Sequence, residues 1–354
     1  MVRNKALLLI AVSALVLVAS GAAAPKTLRT KAGIPAGYVG GEASLPTAFP
    51  MPAIKAGTKC KVGFQSIIHA NETISHFQAG FDAEAKHLGC SVIDLDDNLS
   101  VDKQISNMQQ LVTAGVQVIV FQPLDPKATV PVLQRAKKAG ITVLALDATF
   151  GSPKTTEPYS PYLTAQMWQG RDQMAYLQAK TMAAVHPHAK VGLIGIASDN
   201  PPLKFLMKRV QYWGKKFGLT FVGEQDNPTD DAAGGNTIAA GLLQHYPQMN
   251  ALIAYNDPSA VGTYAAARGL HRNITIVGLN GSSDGIEAVK AGHIAATVQV
   301  SPVTWGIQLA EASYSIVTKQ HLPLPKIVTG TSQVVTKANV DKIPSWDAQV
   351  KAIG

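Results

Sequence analysis

Charge is scarce and unclustered in this chain: Asp, Glu, Lys and Arg make up 15% of the 354 residues, and no block of lysines or arginines stands out. Without a basic stripe there is no electrostatic footprint for nucleic acid, so none is expected as a partner. Cysteine is almost missing, with Cys60 and Cys90 alone, and a zinc site would need more ligands. Beyond Ala19 no apolar run approaches the roughly 20 residues that a membrane-crossing helix requires. Catalytic signatures are also lacking. There is no Gly-x-Ser-x-Gly elbow, and no histidine can be placed by sequence beside Ser198-Asp199. Gly234-Gly235 lacks the lysine and spacing of a phosphate loop. His186-Pro187-His188 looks metal-like but has no third ligand in reach and reads as a solvated turn. Lys204, Lys208 and Arg209, at helical spacing, read as an exposed face. The expectation is a chain that is not an enzyme and carries no metal and no cofactor.

What is present begins with an address. Arg3 and Lys5 precede an unbroken apolar run, Ala6 to Ala19, and then Ser20-Gly21-Ala22-Ala23-Ala24, the order of a secretory signal. Residues 1–23 are read as that signal, with cleavage among Gly21 to Ala23, and the mature chain as soluble and exported. Removing Arg3 and Lys5 leaves 29 basic against 23 acidic residues, a net charge of +6. The whole chain is 46% hydrophobic, the composition of an ordinary globular protein. Cys60 opens the apolar run Lys61 to Ser66, and Cys90 opens Ser91 to Leu95. As neighbouring parallel strands, these would start their sulfurs at one level. In an oxidising compartment a Cys60–Cys90 disulfide is then the expectation, with two buried free thiols as the alternative.

Residues 24–58 are rich in Pro, Gly and Ala without a sustained period and read as an extended arm. After it, strand-like runs alternate with helical periods. Ile74, Phe77, Phe81, Ala85 and Leu88 form one helical face, and Ile105, Met108, Leu111 and Val112 another. Strands read at Lys61–Ser66, Ser91–Leu95, Val116–Phe121 and Ile141–Leu146, then at Lys190–Ile194, Leu219–Gly223, Asn250–Tyr255, Ile274–Leu279 and Ala295–Gln299. Helix-length spacers require parallel pairing with crossover helices.

The second half echoes the first. Gln122 at the end of one apolar strand, followed by Asp125-Pro126, is answered by Asn256 followed by Asp257-Pro258. Asp147 after Ile141–Leu146 is answered by Asn280 after Ile274–Leu279, the offsets being 134 and 133. Asp-Pro suits a helix cap and first turn. The predicted architecture is α/β, two doubly wound parallel-sheet lobes joined by a hinge near Ala165, Val300 and Thr331. Residues 59–165 plus 301–331 form the first lobe, and 166–300 plus 332–354 form the second lobe and tail. Ligands of such sheets sit beyond the carboxyl ends of strands, where Gln122, Asp147, Asn256 and Asn280 all lie. Planar amides and carboxylates there suit a hydroxyl-rich guest.

From about Lys61 to Val335 the chain resembles the ribose-type, or type I, periplasmic sugar-binding proteins. The residues that carry the likeness are Phe121-Gln122-Pro123, Leu144-Ala145-Leu146-Asp147, Asn256-Asp257, Val277-Gly278-Leu279-Asn280-Gly281, and Ala291 through Gln299. The resemblance implies a pocket of Asn71, Gln122, Asp147, Asn256 and Asn280, with the aromatic wall of the first loop falling on Thr73 and Ile74. Several positions depart from the pattern. Ala148 stands where Arg often follows the aspartate, Asn280 where a second aspartate is common, and Leu206 near the usual second-lobe Arg. The late Gln falls on Val300, one place after Gln299. Trp168 is the best replacement stacking surface, ahead of Trp213 and Trp305. Arg and Asp make the stronger hydrogen bonds to a sugar, so losing them points to a guest less hydroxylated than a free pentose, or differently arranged.

The resemblance implies a periplasmic solute-binding protein that closes its lobes around a sugar or polyol and docks on the membrane subunits of an ATP-binding cassette (ABC) importer. A chemoreceptor is a further candidate partner, and a monomer is expected. The absence of a lipid-bearing cysteine fits a free periplasmic protein. An amino acid, nucleoside or small aromatic compound is the alternative cargo, and a secreted hydrolase the remote alternative.

Overall fold

Parallel strands covered on both faces must be apolar along their length, and the strand-like runs meet that condition. The computed structural model describes residues 33–53, 55, 58–147, 160–198, 200–320 and 324–353. The first half runs β1 (Cys60–Ser66), α1 (Glu72–His87), β2 (Cys90–Asp96), α2 (Val101–Thr113), β3 (Val118–Phe121), α3 (Pro126–Lys138), β4 (Thr142–Leu146) and β5 (Ala165–Trp168). The second runs α4 (Arg171–Val185), β6 (Lys190–Ile196), α5 (Pro201–Lys216), β7 (Thr220–Asn227), α6 (Ala232–His245), β8 (Ala251–Ala254), α7 (Asp257–Gly269), β9 (Thr275–Asn280), α8 (Ser283–Ala291) and β10 (Ala296–Gln299). Then come α9 (Pro302–Val317), β11 (Ile327–Thr329), β12 (Gln333–Thr336) and α10 (Trp346–Lys351).

The strands form two six-stranded sheets, ordered β11-β5-β4-β3-β1-β2 and β12-β10-β9-β8-β6-β7. Element by element the two orders are the same, so the echo in the sequence is an echo in topology. They differ at one edge: β11 runs parallel to β5, whereas β12 runs antiparallel to β10. Cys60 and Cys90 are register partners and form a disulfide with Cα atoms 4.4 Å apart. The predicted faces of α1 and α2 are inward: Phe77, Phe81, Ala85, Met108 and Leu111 are all buried. Helix α9 joins the first lobe through α1. The two approach closely because Gly80 faces the backbone of Val303 and Gly306 that of Phe77 and Phe81. A Cβ at these positions would meet backbone oxygens at 2.5 and 2.3 Å.

Three expectations need correction. The first crossing between lobes comes after Trp168 rather than at Ala165, because Ala165–Trp168 is itself a strand paired with β4 and β11. It is only four residues long, and Gln166 interrupts its apolar run. The stretch 332–354 divides: β12 stays with the second sheet, whereas α10 packs on α1 and α9 of the first lobe. The arm is packed as well as extended, for Tyr38, Glu42, Leu45 and Phe49 are all buried, with a 3-10 turn at Gly41–Ser44. The signal reading, residues 1–23, and residues 24–32 of the arm lie outside the described residues. Among the described residues no helix is long and apolar enough to cross a membrane.

Candidate ligand cleft

The carboxyl ends of both sheets carry the predicted polar residues. Gln122 and Asp147 end neighbouring strands, since Phe121 pairs with Ala145. Asn256, Asn280 and Gln299 end three neighbouring strands of the second sheet, with Gln299 in register with Asn280. Asp147 and Asn280 share a left-handed backbone, φ 52° and 105°, which Asp and Asn tolerate better than most residues with a side chain. Turn chemistry and site chemistry therefore select the same residue types at these tips.

Burial decides which of these groups are free to act. Gln122 is held from below. Asp97 accepts hydrogen bonds from Gln65 Nε2 (2.7 Å), Gln104 Nε2 (2.6 Å) and Asn107 Nδ2 (2.8 Å). Gln104 in turn donates to Gln122 O at 3.0 Å and accepts from Leu124 N at 2.9 Å. This network fixes the loop by its backbone and leaves Gln122 Oε1 buried with no partner among the described residues. Asp147 is 3% exposed. Arg171, the first residue of α4, donates to its Oδ2 through Nε at 3.2 Å and Nη2 at 2.6 Å, while Oδ1 is buried without a partner among the described residues. The ion pair joins a strand tip of the first lobe to a helix of the second.

The second lobe is braced differently from the prediction. Asn256, not Asp257, caps α7, its Oδ1 accepting from Ser259 N at 2.9 Å. Asp257 is wholly buried and accepts from Thr297 Oγ1 (2.6 Å), Ser282 N (2.9 Å) and Ser282 Oγ (3.2 Å), tying the Asn280 loop to α7. Burial pushes its carboxyl up to about 7, against those hydrogen bonds. Asp230 receives Asn256 Nδ2 at 2.7 Å and the Tyr255 hydroxyl. Loss of solvation raises its carboxyl above the ordinary range, opposed by the Tyr255 hydrogen bond.

The remaining predicted residues are placed less centrally. Asn71 is exposed and caps α1, its Oδ1 accepting from Ile74 N at 3.2 Å. Thr73 is half-buried beside it and Ile74 is buried. Gln299 accepts from Gln333 Nε2 at 2.8 Å. Trp168 does not present a free face: it is buried against Leu45, Ile327 and Phe205, and its indole N–H goes to Glu42. Trp213 and Trp305 are buried too. Leu206 lies in the core. Lys204 and Lys208 are exposed, as predicted, whereas Arg209 is half-buried and bonded to Asp172 at 2.6 Å. His186 hydrogen-bonds Thr275 Oγ1 at 3.0 Å, and no group of metal-ligating side chains occurs among the described residues.

The lobes also touch at the cleft's rim. Glu72 at the start of α1 accepts from Ser283 at the start of α8, both carboxylate oxygens lying 3.2 Å from the amide and one 3.1 Å from the hydroxyl. A cavity of about 330 Å³ beside this contact is lined by Glu72, His76, Gly281, Gln299 and Trp346. Arg171, Asp230 and Glu72 were all missed from sequence. The one signal for Arg171 was a cation directly after a glycine at a lobe crossing.

Two lobes of one topology, joined by crossings and bridged by the Arg171–Asp147 ion pair and the Glu72–Ser283 contact, make a two-lobed protein. The chain belongs to the periplasmic binding protein domain family, whose model matches residues 64–321. It is similar to the ribose import binding protein of Bacillus subtilis (strain 168), 25% identical over 67% of this chain and 75% of the relative. It is also similar to the xylitol-binding protein of Mycolicibacterium smegmatis, 24% identical over 76% of this chain and 75% of the relative. A solved ABC-transporter periplasmic solute-binding protein from Actinobacillus succinogenes 130z with bound D-allose superposes with a TM-score of 0.71 at 20% identity, covering 80% of this chain and all of that one. The superposition establishes the type I two-lobed fold.

Proposed function

We infer that the protein is a periplasmic solute-binding component of an ABC importer that closes on a small neutral polyol or sugar without transforming it. The relatives named for ribose and xylitol support the cargo class. The observation that carries the reading is a pair of buried acceptors on adjacent strand tips, Gln122 Oε1 and Asp147 Oδ1, that have no partner among the described residues. Each unpaired buried acceptor costs about 1–3 kcal/mol, a penalty that a guest's hydroxyl relieves by donating. With Asp147 neutralised by Arg171, and with Asp230 and Glu72 as further carboxylates, the cleft disfavours an anionic guest. This is a site for binding through a network of directional hydrogen bonds, and the importer's membrane subunits are the implied partner.

The test is a thermal-shift screen of chain unfolded and refolded with its disulfide intact, against sugars, polyols, sugar acids and amino acids. Ligand at 100 times its dissociation constant adds about 2.7 kcal/mol to stability. A shift with a neutral polyol or sugar is expected, and Asp147→Ala should cost at least tenfold in affinity, about 1.4 kcal/mol, cutting the shift at the same ligand concentration by about half or more. No shift with any polyol or sugar removes the cargo, and an unchanged affinity in Asp147→Ala removes the site.

A further inference from the structure

The arm spans the junction of the lobes. On the second lobe, Tyr38 donates to Asp172 Oδ2 at 2.8 Å and its ring packs on Tyr176 and Trp213 at 5.4 and 5.9 Å. On the first, Pro46 O accepts from Thr329 N at 2.8 Å and Phe49 N donates to Gln308 Oε1 at 3.3 Å. Further along, Ala53 exchanges two hydrogen bonds with Gln320 at 2.8 and 2.6 Å. Between the two anchorages sits Glu42, 1% exposed.

The place of Glu42 is informative because α4 has no cap of its own. Its N-cap position is Gly170, at φ 79°, which offers no side chain to the free amides of the first turn. Glu42 supplies what is missing: Oε1 accepts from Asp172 N at 2.9 Å and Oε2 from Gln173 N at 3.0 Å. A carboxylate there also meets the positive end of the helix. The residue immediately before these amides is Arg171, whose guanidinium holds Asp147. Asp172 is pinned in turn by Arg209 Nε and Trp213 Nε1, both at 2.6 Å, so the first turn of α4 is clamped on both sides of its chain.

We propose that Arg171 is a specificity-determining residue that contacts the guest beside Asp147, and that the arm is part of the binding apparatus, Glu42 being the positioning residue that sets the first turn of α4 and hence the Arg171 guanidinium. The cargo part of this rests on the reading above. The guest it implies offers a donor to Asp147 Oδ1 and an acceptor to the guanidinium, as two adjacent hydroxyls do. Arg171 supplies from the far side of the hinge the cation that Ala148 and Leu206 lack.

The test uses the full chain with isothermal titration against xylitol, D-ribose and D-allose, taking forward whichever binds most tightly. Arg171→Met should weaken binding at least tenfold and Glu42→Ala at least threefold, and Glu42→Ala should add no further loss in the Arg171→Met background. A purely structural arm would weaken binding equally in both backgrounds, which would overturn the positioning role. Wild-type affinity in Arg171→Met would overturn the contact. If Arg171→Met does not fold, Arg171→Lys replaces it, with a loss of at least threefold expected and no loss overturning the contact. The Arg171 Nε–H resonance in nitrogen-15 spectra gives a readout that needs no guest: it should broaden or vanish in both Asp147→Asn and Glu42→Ala. Persistence in Glu42→Ala would overturn the positioning role. Failure of the wild-type chain to bind all three compounds would sink the cargo reading, while the resonance still decides the arm's role.

Discussion

Glu72→Gln separates closure of the cleft from the chemistry inside it. Glu72 belongs to the first lobe and touches only the exposed start of α8 across the rim, at 3.1 to 3.2 Å from Ser283. Its carboxylate does two things there. It accepts hydrogen bonds from an amide and a hydroxyl, and it places a negative charge at a helix N-terminus, where such a charge is worth about 0.3–1 kcal/mol when exposed. Glutamine keeps the shape and one acceptor but removes the charge, so about 1 kcal/mol of the contact is lost, a factor of about five in the equilibrium between touching and parted lobes. The ligand-free chain should therefore show a larger radius of gyration in small-angle scattering. Its dissociation constant, by titration with the compound that the thermal screen selects, should rise by up to about fivefold. The contact is a surface one, so raising salt toward 1 M, where the Debye length is about 3 Å, should shrink the difference between wild type and variant. An unchanged radius together with an unchanged dissociation constant at low salt would refute the claim that this contact biases closure.

Reducing the Cys60–Cys90 bridge opens a loop whose ends are 30 residues apart. Loop-closure entropy then predicts a loss of about 3.5 kcal/mol. Denaturation of Cys60→Ser/Cys90→Ser against wild type checks this, and equal midpoints would show that the bridge constrains little. Stability should also fall with rising pH because of Glu42 and Asp257, whose carboxyls burial pushes up to about 7. An unfolded carboxyl releases its proton near pH 4. Between about pH 4.5 and 7 the folded chain thus binds more protons than the unfolded one, and the advantage is lost as pH climbs through 7. Urea titrations at pH 5 and pH 8 should give a smaller drop in Glu42→Gln and Asp257→Asn than in wild type. Equal drops in all three would contradict the shifts.

Much of the architecture was legible before any coordinates, for reasons that are local. Period-two and period-3.6 patterns are written in runs of a few residues, so nine strands and their crossover helices could be placed. The duplicated run ending in Gln122 and Asn256 announced two lobes of one topology. Cys60 and Cys90 opened their strands and so met as register partners. The strands β3, β8 and β10 are just as short but lie within the longer runs Val116–Phe121, Asn250–Tyr255 and Ala295–Gln299, whereas β5 is interrupted by Gln166, β11 has three residues and β12 is bounded by Gln333 and Thr336, which is why the crossing at Trp168 and the edge strands went unread.

The site divides along the same line. Strand tips are sequence features, and Gln122, Asp147, Asn256 and Asn280 could be placed at strand ends because a polar residue ending an apolar run is visible locally. What holds those tips is not local. Arg171 reaches Asp147 only because the chain crosses between lobes in the intervening 24 positions, and Glu42 reaches Asp172 across 130. The sequence by itself determined which residues could be polar at the ends of buried strands. Only the tertiary structure decided which became free acceptors, which were consumed as caps, and which distant charge neutralised Asp147. Hydrogen bonding at this range depends on where the lobe crossings place each backbone, and no run of neighbouring residues records that.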